Sequence, residues 1–159
     1  MLITETGSIL VGDKINHPSD ISINKFLEDL IEDDETVKER TALVNSETGA
    51  TMSYRELNEK ANKVARVLLS KIKDDNINPN SDGDYIVALR YQPIINHVFK
   101  CDSRFVPSEQ LIVTILAIFK AGLAYVPLAP NWPEGRVKHV IEDAAPIFII
   151  TNQGLNPCR

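Results

Sequence analysis

From Ser22 onward, apolar Ile23, Phe26, Leu27, Leu30 and Ile31 follow one another at steps of three, one, three and one. Those steps lay a single apolar stripe along an amphipathic helix. The stripe runs into Glu32, Asp33, Asp34 and Glu35, whose plain reading is a solvated helix end. Residues 1–21 show no clear period and carry the turn formers Gly7, Gly12, Asn16 and Pro18, so they are expected to be a loose leader.

Two short runs, Thr41–Asn45 and Ala50–Met52, have strand character and are joined by Ser46-Glu47-Thr48-Gly49, a loop of hairpin length with glycine. The pattern then changes period. Ser53-Tyr54-Arg55-Glu56 has the form of a capping box, in which Ser53 and Glu56 satisfy each other's backbone N–H groups. Behind it Leu57, Ala61, Val64, Leu68 and Ile72 recur at steps of four, three, four and four, the inner face of a helix of about five turns. Glu59, Lys60, Lys63 and Arg66 fall outside that face.

Asn76 to Asp84, with Pro79 and Gly83, reads as a loop. Beyond it short apolar runs alternate with helical patterns. Tyr85–Leu89, Ala124–Leu128 and Ile147–Thr151 are nearly continuous in apolar residues, as strands buried on both faces are. Between the first two, Ser108 is placed to cap a helix that is apolar nearly all round from Leu111 to Ala121 and stops at Gly122. Between the last two, Pro133 suits the first turn of a helix facing inward through Val137, Val140, Ile141 and Ala144. The alternation predicts an α/β fold with a largely parallel sheet flanked by helices.

At 159 residues the chain is long enough to bury a core, and 43% apolar with 25% charged residues is ordinary for a globular domain. A net charge of −5 with no basic stripe argues against nucleic acid. The most apolar stretch, Leu111 to Phe119, is too short to span a bilayer, so no membrane partner is expected. Met1 to Lys14 lacks the basic start of a secretion signal, and Cys101 and Cys158 form neither a disulfide framework nor a metal-ligand spacing. A reduced, cytoplasmic setting is the expectation.

Chemistry is sparse. Neither G-x-x-x-x-G-K-[ST] nor G-x-G-x-x-G occurs, so no phosphate loop can be named. His139, three and four residues before Glu142 and Asp143, could share a helix face with them, but two or three unsupported ligands rarely hold a metal. Ser53 and Ser108 read as caps, with no His–acid partnership to make either a nucleophile. Tyr125 and Trp132 read as packing or rim residues. No catalytic, cofactor-binding or metal-binding residue is therefore assigned.

Two segments carry a family resemblance. Met52-Ser53-Tyr54-Arg55-Glu56-Leu57 resembles the first core motif of the adenylation domains of nonribosomal peptide synthetases, which are AMP-forming (adenylate-forming) enzymes. Phe119-Lys120-Ala121-Gly122-Leu123-Ala124-Tyr125-Val126-Pro127-Leu128 resembles the second, and Pro130, Pro133, Arg136, then Ile141 and Pro146, fall where that family has its Pro-x-x-Pro-x-x-Arg segment and next strand. Pro79-Asn80-Ser81-Asp82-Gly83-Asp84-Tyr85-Ile86-Val87-Ala88, then Gln92-Pro93 and Ser108-Glu109, is similar to the Ebony-type β-alanyl amine synthetases within it.

The resemblance implies the N-terminal portion of the adenylate-forming fold over residues 22–152, incomplete within this chain. It implies ATP, Mg²⁺ and phosphopantetheine as cofactors of the full-length family member, with the remainder of the adenylation domain and a carrier domain as partners. It also implies that the phosphate loop, the ATP- and Mg²⁺-binding acids, the amino-acid pocket and the C-terminal lysine lie beyond residue 159, so that this chain alone is inactive. A sheet edge and an apolar face would then stand unpaired.

Three departures stand out. Ala129 replaces the usual Asp of the second motif. Residues 94–106, which contain His97 and Cys101, interrupt the family pattern and are either sequence foreign to the reading frame or a genuine surface loop, which closure entropy tolerates. Residues 153–159 match nothing in the family pattern. The competing class is a self-contained α/β interaction module. A small enzyme built on His139, Glu142 and Asp143 is the remote alternative.

Overall fold

The computed structural model describes residues 2–3, 10–11, 22–46, 48–90, 109–151 and 154–157. Its first elements are two short strands, β1 (Leu2–Ile3) and β2 (Leu10–Val11), paired antiparallel inside the segment read as a loose leader.

Helix α1 (Ile23–Asp33) begins where the pattern placed it, with Ser22 Oγ accepting from the Lys25 N–H at 3.4 Å. The acidic cluster is the solvated helix end expected of it, with Glu32 to Glu35 all exposed, and it also starts a new element. Asp34 turns the chain and caps a second, one-turn helix α2 (Glu35–Lys38), its Oδ1 accepting from the Thr36 N–H at 2.8 Å. A short polar side chain competes well for backbone donors, so Asp34 ends one helix and starts the next.

β3 (Thr41–Val44) and β4 (Thr51–Ser53) form the expected antiparallel hairpin, closed by the Asn45 N–H on the Ala50 carbonyl and by Gly49 at φ +71°. Ser53 ends β4 and caps α3 (Tyr54–Asp74) through a complete capping box. Its Oγ accepts from the Glu56 N–H at 3.2 Å, and its own N–H donates to Glu56 Oε2 at 3.0 Å. On the inner face of α3 Leu57, Ala61, Ala65 and Leu68 are buried, while Val64 and Ile72 are half-buried. Ala65 joins the contact face because α4 approaches closely there, over Ala61 and Ala117, where only small side chains fit.

The main sheet has four strands in the order β6-β5-β7-β8: β6 (Ala124–Pro127), β5 (Ile86–Arg90), β7 (Phe148–Thr151) and β8 (Gly154–Pro157). β5 lies parallel to both β6 and β7, and β8 returns antiparallel along β7. Sheet β6-β5-β7 is the largely parallel sheet the alternation predicted. The two helices that connect its strands take opposite faces. α4 (Glu109–Lys120) covers Val87, Leu89, Phe148 and Ile150, joined by Leu68 of α3. α5 (Glu134–Ala144) covers Ala88 and Leu128 through Val137. Phe148, Ile118, Leu68, Leu128 and Val87 are each under 2% exposed, and burying such a side chain contributes about 1.5–3 kcal/mol.

Helix ends decide how these layers join. α4 stops in a Schellman motif: the Gly122 N–H donates to the Phe119 carbonyl and the Leu123 N–H to the Ile118 carbonyl, each at 3.0 Å. Gly122 sits at φ +71°, where glycine carries no steric penalty. Pro133 is the N-cap of α5, one position earlier than expected, and its carbonyl accepts from Arg136 and Val137. The helix buries only Val137 fully; Val140, Ile141 and Ala144 are half-buried. Ala145 ends it in the left-handed region at φ 42°, ψ 54°.

Candidate functional site

Each residue weighed as chemistry in the sequence has a structural place. His139, Glu142 and Asp143 are all exposed on α5, and the Glu142 carboxylate lies 3.7 Å from Lys138 Nζ. No group of three metal-ligating side chains occurs among the described residues. Trp132 packs beside Leu128 and Val137 with the Arg136 guanidinium 4.1 Å over its ring, and Tyr125 meets Phe119 at 5.8 Å between centroids. Ser53 is a cap, while Ser108, His97, Cys101 and Cys158 lie outside the described residues.

The two motif segments are joints. In the first, Met52 and Leu57 are buried on either side of the capping box, and Arg55 reaches Glu35 at 3.2 Å and Glu39 at 2.7 Å, tying α2 to α3. In the second, the Lys120 side chain is 3% exposed and bonds Glu28 of α1, and Gly122 turns the chain so that Leu123 and Leu128 bracket β6 in the core. Ala129, where an aspartate is usual, keeps the following turn through its backbone: its carbonyl accepts from the Trp132 N–H at 3.1 Å. The Lys120–Glu28 pair was not visible in the sequence, because its partners stand 92 residues apart.

At the carboxyl ends of the parallel strands, where α/β sheets commonly bind ligands, β5, β6 and β7 finish on Arg90, Pro127 and Thr151. None is a carboxylate, and Arg90 Nε is buried with no hydrogen-bond partner among the described residues. These three described strand ends do not by themselves fit Mg²⁺ with a nucleoside triphosphate, which needs acidic oxygens for the metal and converging N–H groups for the phosphates. No step of phosphoryl transfer is assigned to these residues.

Among the described residues lies a groove of about 680 Å³, open on one side, between α3, the start of α4 and the β7–β8 edge. Its walls are largely apolar: Met52, Val64, Val67 and Leu68 on one side, Val113, Ile150 and Leu155 on the other. Lys60 and Lys63 of α3 and Glu109 and Gln110 of α4 also line it. Val67 remains 53% exposed there, although it follows Val64 by three positions on the same helix face. β8 supplies Gly154 and Leu155 to this wall, from a segment in which the sequence had suggested no element. Among the described residues no helix is long and apolar enough to cross a membrane.

Comparison with known proteins gives these joints a context. The family model described as AMP-binding enzyme matches residues 106–158. The beta-alanyl-bioamine nonribosomal peptide synthetase ebony of Drosophila melanogaster is 39% identical over 107 residues, 67% of this chain and 11% of that protein. The N-(5-amino-5-carboxypentanoyl)-L-cysteinyl-D-valine synthase of Penicillium rubens is 34% identical over 127 residues, 79% of this chain and 3% of that protein. The chain thus spans a small fraction of the relatives it matches. In fold it is similar to the solved N-terminal subdomain of NpsA from Klebsiella oxytoca, with a TM-score of 0.58 at 22% identity over 82% of this chain and 27% of that one. By sequence and fold together, the chain belongs to the AMP-binding, adenylate-forming enzymes, as part of an adenylation domain of the nonribosomal-peptide-synthetase type.

Proposed function

We propose that this chain is the N-terminal part of an adenylation domain that activates β-alanine with ATP, for thioester loading on a carrier domain and transfer to a biogenic amine. The observation that carries the reading is the 39% identity over 107 residues to a synthetase named for β-alanyl-bioamine synthesis. In such a reaction the amino-acid carboxylate attacks the α-phosphorus of ATP and pyrophosphate leaves. A carrier thiol then displaces AMP, and the amine nitrogen displaces the thiol. The part played by these 159 residues is architectural: they build the sheet and the helix layer on which the rest of the domain is assembled.

The chain alone is expected to be inactive, because stabilising charge at the transferred phosphate needs preorganised donors that its described residues do not offer. ATP–pyrophosphate exchange with β-alanine should stay at background, and exchange above background would overturn this expectation. The positive test is a chimera in which residues 22–152 replace the matching stretch of the fly synthetase. Retained exchange with β-alanine supports the reading; a folded chimera without it opposes the reading.

The open groove favours one competing reading, a self-contained α/β interaction module. A monodisperse monomer with a sharp cooperative melt would favour that module; self-association through exposed apolar surface would favour the partial domain.

A further inference from the structure

An asparagine or aspartate is chemically vulnerable where the next backbone nitrogen can reach its side-chain carbonyl carbon. The loop from Asn76 to Asp84 holds Asn76, Asn78, Asn80, Asp82 and Asp84, and the structure separates them. Asn78 is followed by Pro79, whose nitrogen has no proton to lose. Asn80 is locked, because its Oδ1 accepts from the Asp82 N–H at 3.0 Å and the Asp84 N–H at 2.8 Å. Asn76 precedes β-branched Ile77, whose N–H is held on the Ile72 carbonyl at 2.9 Å, and Asp84 precedes bulky Tyr85. Outside the loop, Asn45 is tied through its Oδ1 to the Thr48 N–H at 3.0 Å, and Asn58 and Asn62 lie inside α3.

Asp82 differs on each count. It precedes Gly83, and every other aspartate or asparagine in the chain is followed by a residue with a side chain. Both residues are exposed, and the Asp82 carboxylate makes no hydrogen bond or ion pair among the described residues. Gly83 sits at φ +87° with no atom within 4 Å of the place a Cβ would take. One restraint remains: the Gly83 N–H donates to the Asn80 carbonyl at 3.1 Å.

We infer that Asp82-Gly83 is a site of spontaneous isomerisation to isoaspartate, gated by opening of the turn that Asn80 holds. With the turn open, the Gly83 nitrogen loses its proton and attacks Cγ of the protonated Asp82 carboxyl. Water leaves and a cyclic succinimide closes. Water then reopens the ring at either carbonyl, and opening at the α-carbonyl leaves Gly83 joined through the side-chain carbon. The sum is an isomerisation, with the water lost in the first step regained in the second and nothing oxidised or reduced. The product carries an extra main-chain carbon between Asp82 and Gly83. That carbon falls inside the ring closed by the Asp84 N–H on Asn80 Oδ1 and by the Asn80 N–H on the Asp84 carbonyl at 2.9 Å. Both bonds lose their register, and the loop leading into β5 loosens as the protein ages.

The test holds the purified chain at neutral pH and body temperature in heavy-oxygen water, beside a sample unfolded in urea. Peptide fragmentation by mass spectrometry locates isoaspartate and counts the heavy oxygen taken up. Isoaspartate should accumulate at Asp82 ahead of change at any other described asparagine or aspartate, with one heavy oxygen per converted molecule. The unfolded sample should convert faster. Asn80→Ala, which removes both bonds on Oδ1, should speed conversion in the folded chain about tenfold, with circular dichroism confirming the fold. Earlier conversion at Asn45, Asn76 or Asn80 overturns the site, as does an Asp82 that stays intact while the unfolded chain converts there. Product without heavy oxygen overturns the succinimide route, and an Asn80→Ala rate equal to that of the parent overturns the gate.

Discussion

Replacing Lys120 by methionine asks what holds α1 to the body of the domain. The Lys120 side chain is 3% exposed and its ammonium bonds Glu28, 26% exposed. Stranding one charge of a fully buried pair costs about 3–5 kcal/mol, and losing an exposed pair costs about 0–1 kcal/mol. Glu28 keeps a quarter of its surface in water and rehydrates once the ammonium is gone, so the expected cost of Lys120→Met is about 2 kcal/mol. Methionine retains the unbranched stem, which keeps packing losses small. Glu28→Gln should cost somewhat more, roughly 2–3 kcal/mol, because the charge it strands is the more deeply buried one. In the double variant neither charge is stranded, so the two effects should fall short of additivity by about 1–2 kcal/mol. Urea unfolding followed by circular dichroism gives the three free energies, and amide exchange in α1 shows whether that helix is released. Additivity within about 0.3 kcal/mol would refute the reasoning. The apolar stripe, with Ile31 at 2% exposure, would then hold α1 by itself.

Two backbone positions make opposite predictions. Gly122→Ala places a Cβ at φ +71° with no atom within 4 Å to clash with, so the cost is backbone strain of about 1–2 kcal/mol less about 0.4–1 from a stiffer unfolded chain. A net loss near 1 kcal/mol is expected in urea unfolding, and no loss would refute the Schellman assignment. Ala145→Gly removes a Cβ from φ 42° just before Pro146 and should stabilise by about 0.5–1 kcal/mol in the same assay; a loss would show that the alanine is unstrained. In acid, α2 should loosen early. A side-chain hydrogen bond from Thr36 holds the Asp34 carboxyl below its usual value, and one from Lys38 does the same for Glu35. Depressed values mean that the stabilisation is in place at neutral pH and is lost as pH falls through them. Amide exchange in α2 that fails to quicken on acidification, after correction for intrinsic rates, would count against this.

The sequence by itself determined the local elements and their ends. Ser22, Ser53 and Gly122 act on backbone groups within four residues of themselves, so the energetics that place them are written in short windows of sequence. The stripe from Leu57 to Ile72 and the continuous runs in β5 and β7 likewise state their own burial. The two motif segments identified the family for the same reason, since each is a joint made from neighbouring residues.

Tertiary structure decided the rest. A strand apolar on both faces has no preferred side, so the order β6-β5-β7-β8 and the opposite faces taken by α4 and α5 emerge only when the helices choose between Val87 with Leu89 and Ala88. Gly154-Leu155-Asn156-Pro157 has little strand character alone and becomes β8 because β7 offers it a ladder. The Lys120–Glu28 pair and the groove lined in part by Lys60, Lys63 and Glu109 join residues far apart in the chain. No local period can announce such contacts, because closing the loops between them depends on the packed core.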